Sequence, residues 1–178
     1  MGKVFKYISD EALEISVIKG ESCPICNDEI DLYSASIDGD DEDYSEACIN
    51  CIKTVPLSWI RPKDDERKIQ NLINQKYPKG TKSQDQRFAL VVELADEYRR
   101  SPNIPIFMQR DDWPDCCGDF TEYVGLAKSG GSFSDFILWG EEDYFTQNGI
   151  EGLVDHEDGV PLFKCKECQK RYWLFQTT

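Results

Sequence analysis

Apolar positions along this chain follow two periods, and the change from one to the other marks out its elements. Val4-Phe5-Lys6-Tyr7-Ile8 and Glu14-Ile15-Ser16-Val17-Ile18 have the β-branched and aromatic enrichment of strands. From residue 63 the period lengthens. Asp64 is placed to cap a helix running to about Lys76, which Pro78-Lys79-Gly80 ends. Ser83 with Gln86 three residues on forms a capping box. The helix it opens carries Phe88, Val91, Val92, Ala95 and Tyr98 at i, i+3, i+4, i+7 and i+10, a stripe expected to face the core. Ser101-Pro102 stops it. Ile104 to Met108 reads as an edge segment, because Pro105 cannot donate to a central ladder. Asp119 to Val124 predicts a short helix or turn, and Ser134 to Phe145 a second helix. The clearest β pattern comes last, in Val160 to Lys164 and Arg171 to Phe175, joined by a tight turn.

Together with the Cys-x-x-Cys turns Cys23–Cys26, Cys48–Cys51 and Cys165–Cys168, these elements predict an α+β fold, with zinc-knuckle or zinc-ribbon β-hairpins at both ends packed with a central helical segment. Residues 1–62 form the amino-terminal knuckle module. Residues 63–178 hold the helices and the carboxy-terminal ribbon hairpin, and the whole is one compact unit. A chain of 178 residues supports that size of core.

Eight cysteines change the picture most. Cys23-Pro-Ile-Cys26 is followed, after 21 residues, by Cys48-Ile-Asn-Cys51. A Cys-x-x-Cys turn sets two thiolates on one side of a tight knuckle, and two knuckles close a tetrahedral four-sulfur shell suited to zinc. The second set is Cys116, Cys117, Cys165 and Cys168. Neighbouring side chains diverge in regular structure, so Cys116 and Cys117 reach one ion only across an irregular bend, which Trp113-Pro114 and Gly118 permit. Two alternatives stand beside it: His156 replaces one of the pair, or one of the pair is a buried free thiol. Two zinc ions are predicted.

The charge is lopsided, with 34 acidic residues against 20 basic. That excludes a typical nucleic-acid surface, which must neutralise phosphates, and suits a basic protein partner. Nine carboxylates and no Lys or Arg lie between Asp28 and Glu46, where Gly39 predicts a hairpin tip held at both ends by metal. The candidate partner-binding residues there are Asp38, Asp40, Asp41, Glu42 and Asp43. A second acidic run, from Glu141 to Asp158, adds Glu141, Glu142 and Asp143. Between the two runs the helical block is basic, and the expected role of its Lys and Arg residues is a solvated face. The stretch Phe88 to Ala95 contains Glu93 and does not span a bilayer, and no apolar export signal follows Met1, so a cytoplasmic location is expected.

Catalytic patterns are missing. The single histidine, His156, has no nucleophile motif around it, and Gly130-Gly131 is not a phosphate loop. A closed four-sulfur shell also leaves no open coordination position. The expectation is a protein that is not an enzyme; the alternative is a zinc-dependent enzyme or thiol redox factor.

The order of landmarks resembles the CbrC family of bacterial colicin-tolerance proteins. The carrying residues are Phe5-Lys6-Tyr7, Cys23-Pro-Ile-Cys26, Cys48-Ile-Asn-Cys51, Arg100-Ser101-Pro102, Trp113 ahead of Cys116-Cys117, Phe120, Gly125, and Leu162-Phe163-Lys164-Cys165 with Cys168. A His-Cys pair stands in such relatives where this chain has Cys116-Cys117, which implies that both residues are ligands. At its opening the chain departs from the family, with Ile8-Ser9-Asp10 in place of a His-Pro type sequence. The resemblance implies an immunity or tolerance protein that binds and neutralises a cytosol-acting bacterial toxin, a basic nuclease being the expected partner.

Overall fold

The computed structural model describes residues 2–61, 63, 66–105, 113–128, 131–140 and 159–174. At the amino terminus a helix replaces a predicted strand. The Ser9 hydroxyl accepts from the Ala12 N–H at 3.1 Å, and Asp10 and Glu11 sit in the first turn, so α1 (Asp10–Ile15) runs into the segment Glu14 to Ile18. A hydroxyl cap with acidic residues at the helix start outweighs β propensity there. Of Val4 to Ile8 only Ile8 pairs, in a parallel bridge with Tyr123.

The hairpin predicted between the knuckles is present as β1 (Leu32–Ile37) and β2 (Tyr44–Cys48), which leads straight into α2 (Ile49–Thr54). The outer edge of β1 is covered rather than exposed: Asp38 N–H donates to Trp59 O, Arg61 N–H to Ser36 O and Asn103 N–H to Ser34 O, at 2.7–3.1 Å.

Next come α3 (Glu66–Lys76) and α4 (Gln84–Arg99). The Ser83–Gln86 capping box is made in both directions, at 3.0 and 3.2 Å. The expected inward stripe of α4 holds for Tyr98, which is buried, and for Val91 and Ala95, which pack against the core, and is corrected at its other two positions. Leu94 and Tyr98 are buried with Leu90 packed behind them, whereas Phe88 is 69% and Val92 47% exposed. Apolar residues lie on more than one side of this helix, so their period identifies the helix without choosing its buried face.

The basic residues here are a solvated face only in part: Arg67, Lys76 and Lys79 are exposed, but others are engaged. Arg100 Nη1 donates to the carbonyls of Ile52 and Val55 at the end of α2, at 3.0 and 2.9 Å, and its Nε donates to Asp96. Lys63 Nζ caps Tyr98 and Ser101 carbonyls at the end of α4, and Arg87 donates to Tyr77 O beyond the end of α3. Cations at helix carboxy termini satisfy orphan carbonyls and the negative end of the helix dipole. Arg100→Ala is expected to cost about 1.5–3 kcal/mol, the usual worth of hydrogen bonds to a charged group. Arg100→Lys should rescue little, because one ammonium cannot reproduce the fork. Denaturant unfolding of the two variants checks both statements.

The carboxy-terminal part is built from strands. β3 (Asp115–Cys116) and β4 (Asp119–Phe120) form a tight hairpin, and β5 (Glu122–Leu126) follows. Asp119 to Val124 is thus extended, not helical. A four-stranded sheet runs β5, β7 (Pro161–Lys164), β8 (Arg171–Trp173), β6 (Phe136–Leu138), with only β6 and β8 parallel. The predicted helix Ser134 to Phe145 therefore gives a strand in its described part, because the edge of β8 offers it a pairing partner. Asp64, Ile106 to Met108 and Phe175 lie outside the described residues.

One buried cluster takes residues from both ends of the chain, including Phe5, Leu32, Ile52, Leu72, Tyr98, Trp113 and Phe163. Its centre is aromatic. Tyr98 stacks on Phe120 with centroids 4.3 Å apart, while Trp113 meets Tyr98 at 5.7 Å and Phe163 at 5.4 Å edge-on. Among the described residues no helix is long and apolar enough to cross a membrane.

Candidate metal centres

Each cysteine set predicted from spacing converges in space. Cys23, Cys26, Cys48 and Cys51 form one cluster and Cys116, Cys117, Cys165 and Cys168 the other, with all four sulfurs of each within 4.8 Å of one another. All eight cysteines are free.

The two knuckles have the same local shape, and the backbone explains it. In the first, Asn27 N–H donates to Cys23 O and Cys23 N–H to Asp28 O; in the second, Gln169 N–H donates to Cys165 O and Cys165 N–H to Lys170 O. Asn27 and Gln169 occupy the same place after the second cysteine and both are left-handed, with φ of 62° and 63°. Each turn is thus closed by two backbone hydrogen bonds and one left-handed residue, none of which depends on the side chains between the cysteines.

The remaining ligands arrive differently at each site. Cys48 ends β2 and caps α2, its Sγ accepting from the Cys51 N–H at 3.4 Å, so Cys48 and Cys51 share the first turn of a helix. The Cys48 N–H in turn donates to Cys23 Sγ at 3.4 Å. At the other site Cys117 and Gly118 are the two residues between β3 and β4, with φ of 54° and 74°. Two positive φ values in a two-residue loop are the primed turn that suits a twisted hairpin. This is the irregular bend that an adjacent pair needs. A side chain at Gly118 would also strike Lys76, whose Cβ lies 2.8 Å from the site of the missing Cβ, so the loop presses on the end of α3.

The donor sets fit a tetrahedral ion. A Zn–S bond of about 2.3 Å requires sulfur–sulfur edges of about 3.8 Å. Cys26 and Cys48 sulfurs lie 3.8 Å apart, Cys116 and Cys117 3.8 Å, and Cys116 and Cys168 3.5 Å. Tyr172, a site residue absent from the predicted set, donates its hydroxyl to Cys116 Sγ at 3.1 Å. No spacing rule reveals it, since it reaches the site from β8.

Thiol acidity is uneven within each cluster. Burial pushes Cys23 up, yet the N–H groups of Cys48, Cys26 and Ile25 outweigh it and hold the thiol at about 7. The Lys170 N–H likewise brings Cys168 to about 7. Burial pushes Cys51 up, and raises Cys116 to about 12 against the Tyr172 hydrogen bond. Four crowded sulfurs resist shared ionisation until a cation compensates them. Protons compete with the ion for every thiolate, so acidification weakens retention. Below pH of about 7 Cys23 and Cys168 join the groups that must lose a proton, and retention should fall more steeply below that point than above it. Titrating bound metal against a chromogenic chelator from pH 8.5 to 5.5 checks this.

The knuckle of the second site is tethered to the chain's beginning. Lys166 Nζ donates to the Lys6 carbonyl and lies 4.4 Å from the Tyr7 ring centre. Tyr7 donates its hydroxyl to Asp119 at 2.7 Å, and Lys6 pairs with the same carboxylate at 3.0 Å.

The acidic candidates divide. Asp38 and Asp43 both pair with Arg61 at the base of the β1–β2 loop. Asp40, Asp41 and Glu42 are exposed and make no ion pair among the described residues. Glu141, Glu142, Asp143 and His156 lie outside the described residues.

Compared with protein-family models, with curated proteins and with solved structures, the chain has no match in any of the three.

Proposed function

We propose that this chain is a zinc-binding, non-catalytic immunity protein of the CbrC type that neutralises a basic nuclease toxin in the bacterial cytoplasm. The observation that carries the reading is the pairing of two four-sulfur clusters with an acidic hairpin closed at its base by one of them. Zinc is the ion a closed, soft, tetrahedral sulfur shell selects, and it serves such shells as a structural rivet. The order knuckle, hairpin, helix turn around the first cluster is that of treble-clef modules, in which the metal replaces part of a hydrophobic core.

Docking falls to Asp40, Asp41 and Glu42. Their loop is braced below by Arg61, which pairs with Asp38 and Asp43, so the tip is held ready and little ordering is needed on binding. A nuclease presents a cationic groove to its substrate, and an anionic protein of net charge −14 is steered toward it. The enzyme alternative lacks the open metal position it requires, because four sulfurs already fill a tetrahedral ion.

Co-expression with basic nuclease toxin domains tests the reading, rescue of growth being the expected outcome. Replacing Asp40, Asp41 and Glu42 together by Asn, Asn and Gln should slow association with the rescued toxin about ten-fold or more at low salt. The gap should close near 1 M salt, where the screening length is about 3 Å. Stopped-flow association rates measure it. Failure of every toxin domain to be neutralised, or a variant that associates at the parental rate, overturns the assignment.

A further inference from the structure

The two clusters differ in how they meet solvent. In the first, Cys23, Cys48 and Cys51 are buried and Cys26 alone is exposed. In the second, Cys117 and Cys168 are exposed, Cys116 is half-buried and only Cys165 is buried. Susceptibility of a thiolate to oxidants follows its exposure. The sulfur pairs also differ. Cys116 and Cys168 sulfurs are 3.5 Å apart and come from separate hairpins. Cys116 and Cys117 are neighbours in the chain, with Cα atoms about 3.8 Å apart, inside the roughly 4.4 Å lower bound of ordinary disulfides.

We infer that the second cluster is a thiol-oxidation site, at which a hydroperoxide joins Cys116 to Cys168 and frees the bound ion while the first cluster stays intact. The inference rests on the reading that both clusters hold zinc. The exposed Cys168 sulfur attacks one oxygen of the hydroperoxide. The O–O bond breaks, sulfur is oxidised to a sulfenic acid, and the departing oxygen takes a proton and leaves as an alcohol or water. Cys116 Sγ then attacks the Cys168 sulfur, an S–S bond forms, and the sulfenic oxygen leaves with a proton as a second water. Two thiolates, one hydroperoxide and two protons give one disulfide, one water and one alcohol or water. A disulfide offers no thiolate, so Cys117 and Cys165 alone remain and the ion leaves. Loss of this ion loosens the knuckle that Lys166 fastens to Lys6 and Tyr7.

Trypsin separates the two sites cleanly, because Cys23, Cys26, Cys48 and Cys51 share the peptide 20–53, Cys116 and Cys117 lie in 111–128, and Lys166 parts Cys165 from Cys168 in 167–170. The full chain is first assayed for metal, then titrated with hydrogen peroxide while zinc release is followed with a chromogenic chelator and disulfides are mapped by mass spectrometry. Release of one of the two ions is expected, with 111–128 linked to 167–170 through Cys116 and four free thiols kept in 20–53. Dithiothreitol with added zinc should reverse it. Equal loss of both ions, earlier oxidation of 20–53, or ion loss without that link overturns the inference. Fewer than two ions before any oxidant is added overturns the zinc reading itself, and the inference falls with it.

Discussion

Cys48→Ser is expected to empty the first metal site and unfold the amino-terminal half of the core. Cys48 is 1% exposed, caps α2, pairs with Leu32 at the end of the β1–β2 hairpin and donates its N–H to Cys23 Sγ. Three cysteines of that site belong to the main buried cluster, against one from the second site. Losing the ion in this variant therefore strands the Cys23 and Cys51 thiols, together with the new hydroxyl, in the interior. Structural zinc sites contribute about 10–16 kcal/mol of apparent binding free energy at neutral pH. A domain's whole stability is about 5–15 kcal/mol, so no other interaction here is large enough to compensate. Circular dichroism of the purified variant and its metal content give the readout. Cys117→Ser, at an exposed position of the second site, should leave most of the far-ultraviolet signal in place.

Trp113→Ala is expected to lower stability by about 3–5 kcal/mol, the usual range for truncating a buried large aromatic. Trp113 is 1% exposed, packs edge-on against Tyr98 and Phe163, and donates its indole N–H to Thr121 O at 2.8 Å. The same Thr121 fixes the β3–β4 hairpin, donating its N–H and hydroxyl to Pro114 O at 2.9 and 2.7 Å. Truncation thus leaves a cavity, orphans a buried carbonyl and loosens the loop that carries Cys116 and Cys117. Urea unfolding of the metal-loaded variant should show the loss, and metal competition should show weaker retention at the second site. Trp113→Phe, which fills most of the space but cannot donate, should recover part of the stability.

What the sequence showed plainly was the short-range chemistry. A Cys-x-x-Cys turn is closed by its own backbone, the Ser83–Gln86 box by two local hydrogen bonds, and the hairpin from Val160 onward by the alternation of its residues. Such features depend on neighbours within a few positions, and they emerge where expected. The pairing of Cys116 and Cys117 with Cys165 and Cys168 across some fifty residues follows from no local spacing rule, and the Cys117–Gly118 turn makes it possible.

Where the structure departs from the local pattern, one cause is a local cap and the others are tertiary. Ser9 took Asp10–Ile15 into a helix because one hydroxyl cap overrode β-rich composition. Phe136–Leu138 became a strand because β8 offers an edge that residues 134–140 cannot reveal by themselves. The helical period puts Tyr98, Val91 and Ala95 on the core correctly but Phe88 and Val92 wrongly, their places being taken by Leu90 and Leu94. Charge pattern alone places Lys63, Arg87 and Arg100 on a solvated face, yet each caps a helix end, two of them from distant parts of the chain. Partners set by tertiary packing leave no mark in local pattern.

A native mass spectrum of the purified chain tests the metal-riveted fold most directly, because mass reports bound ions and charge-state distribution reports compactness in one measurement. The predicted result is a narrow, low-charge distribution at the mass of the chain with two zinc ions, replaced by a broad, highly charged one as chelator removes them. A narrow, low-charge distribution at the metal-free mass would contradict it.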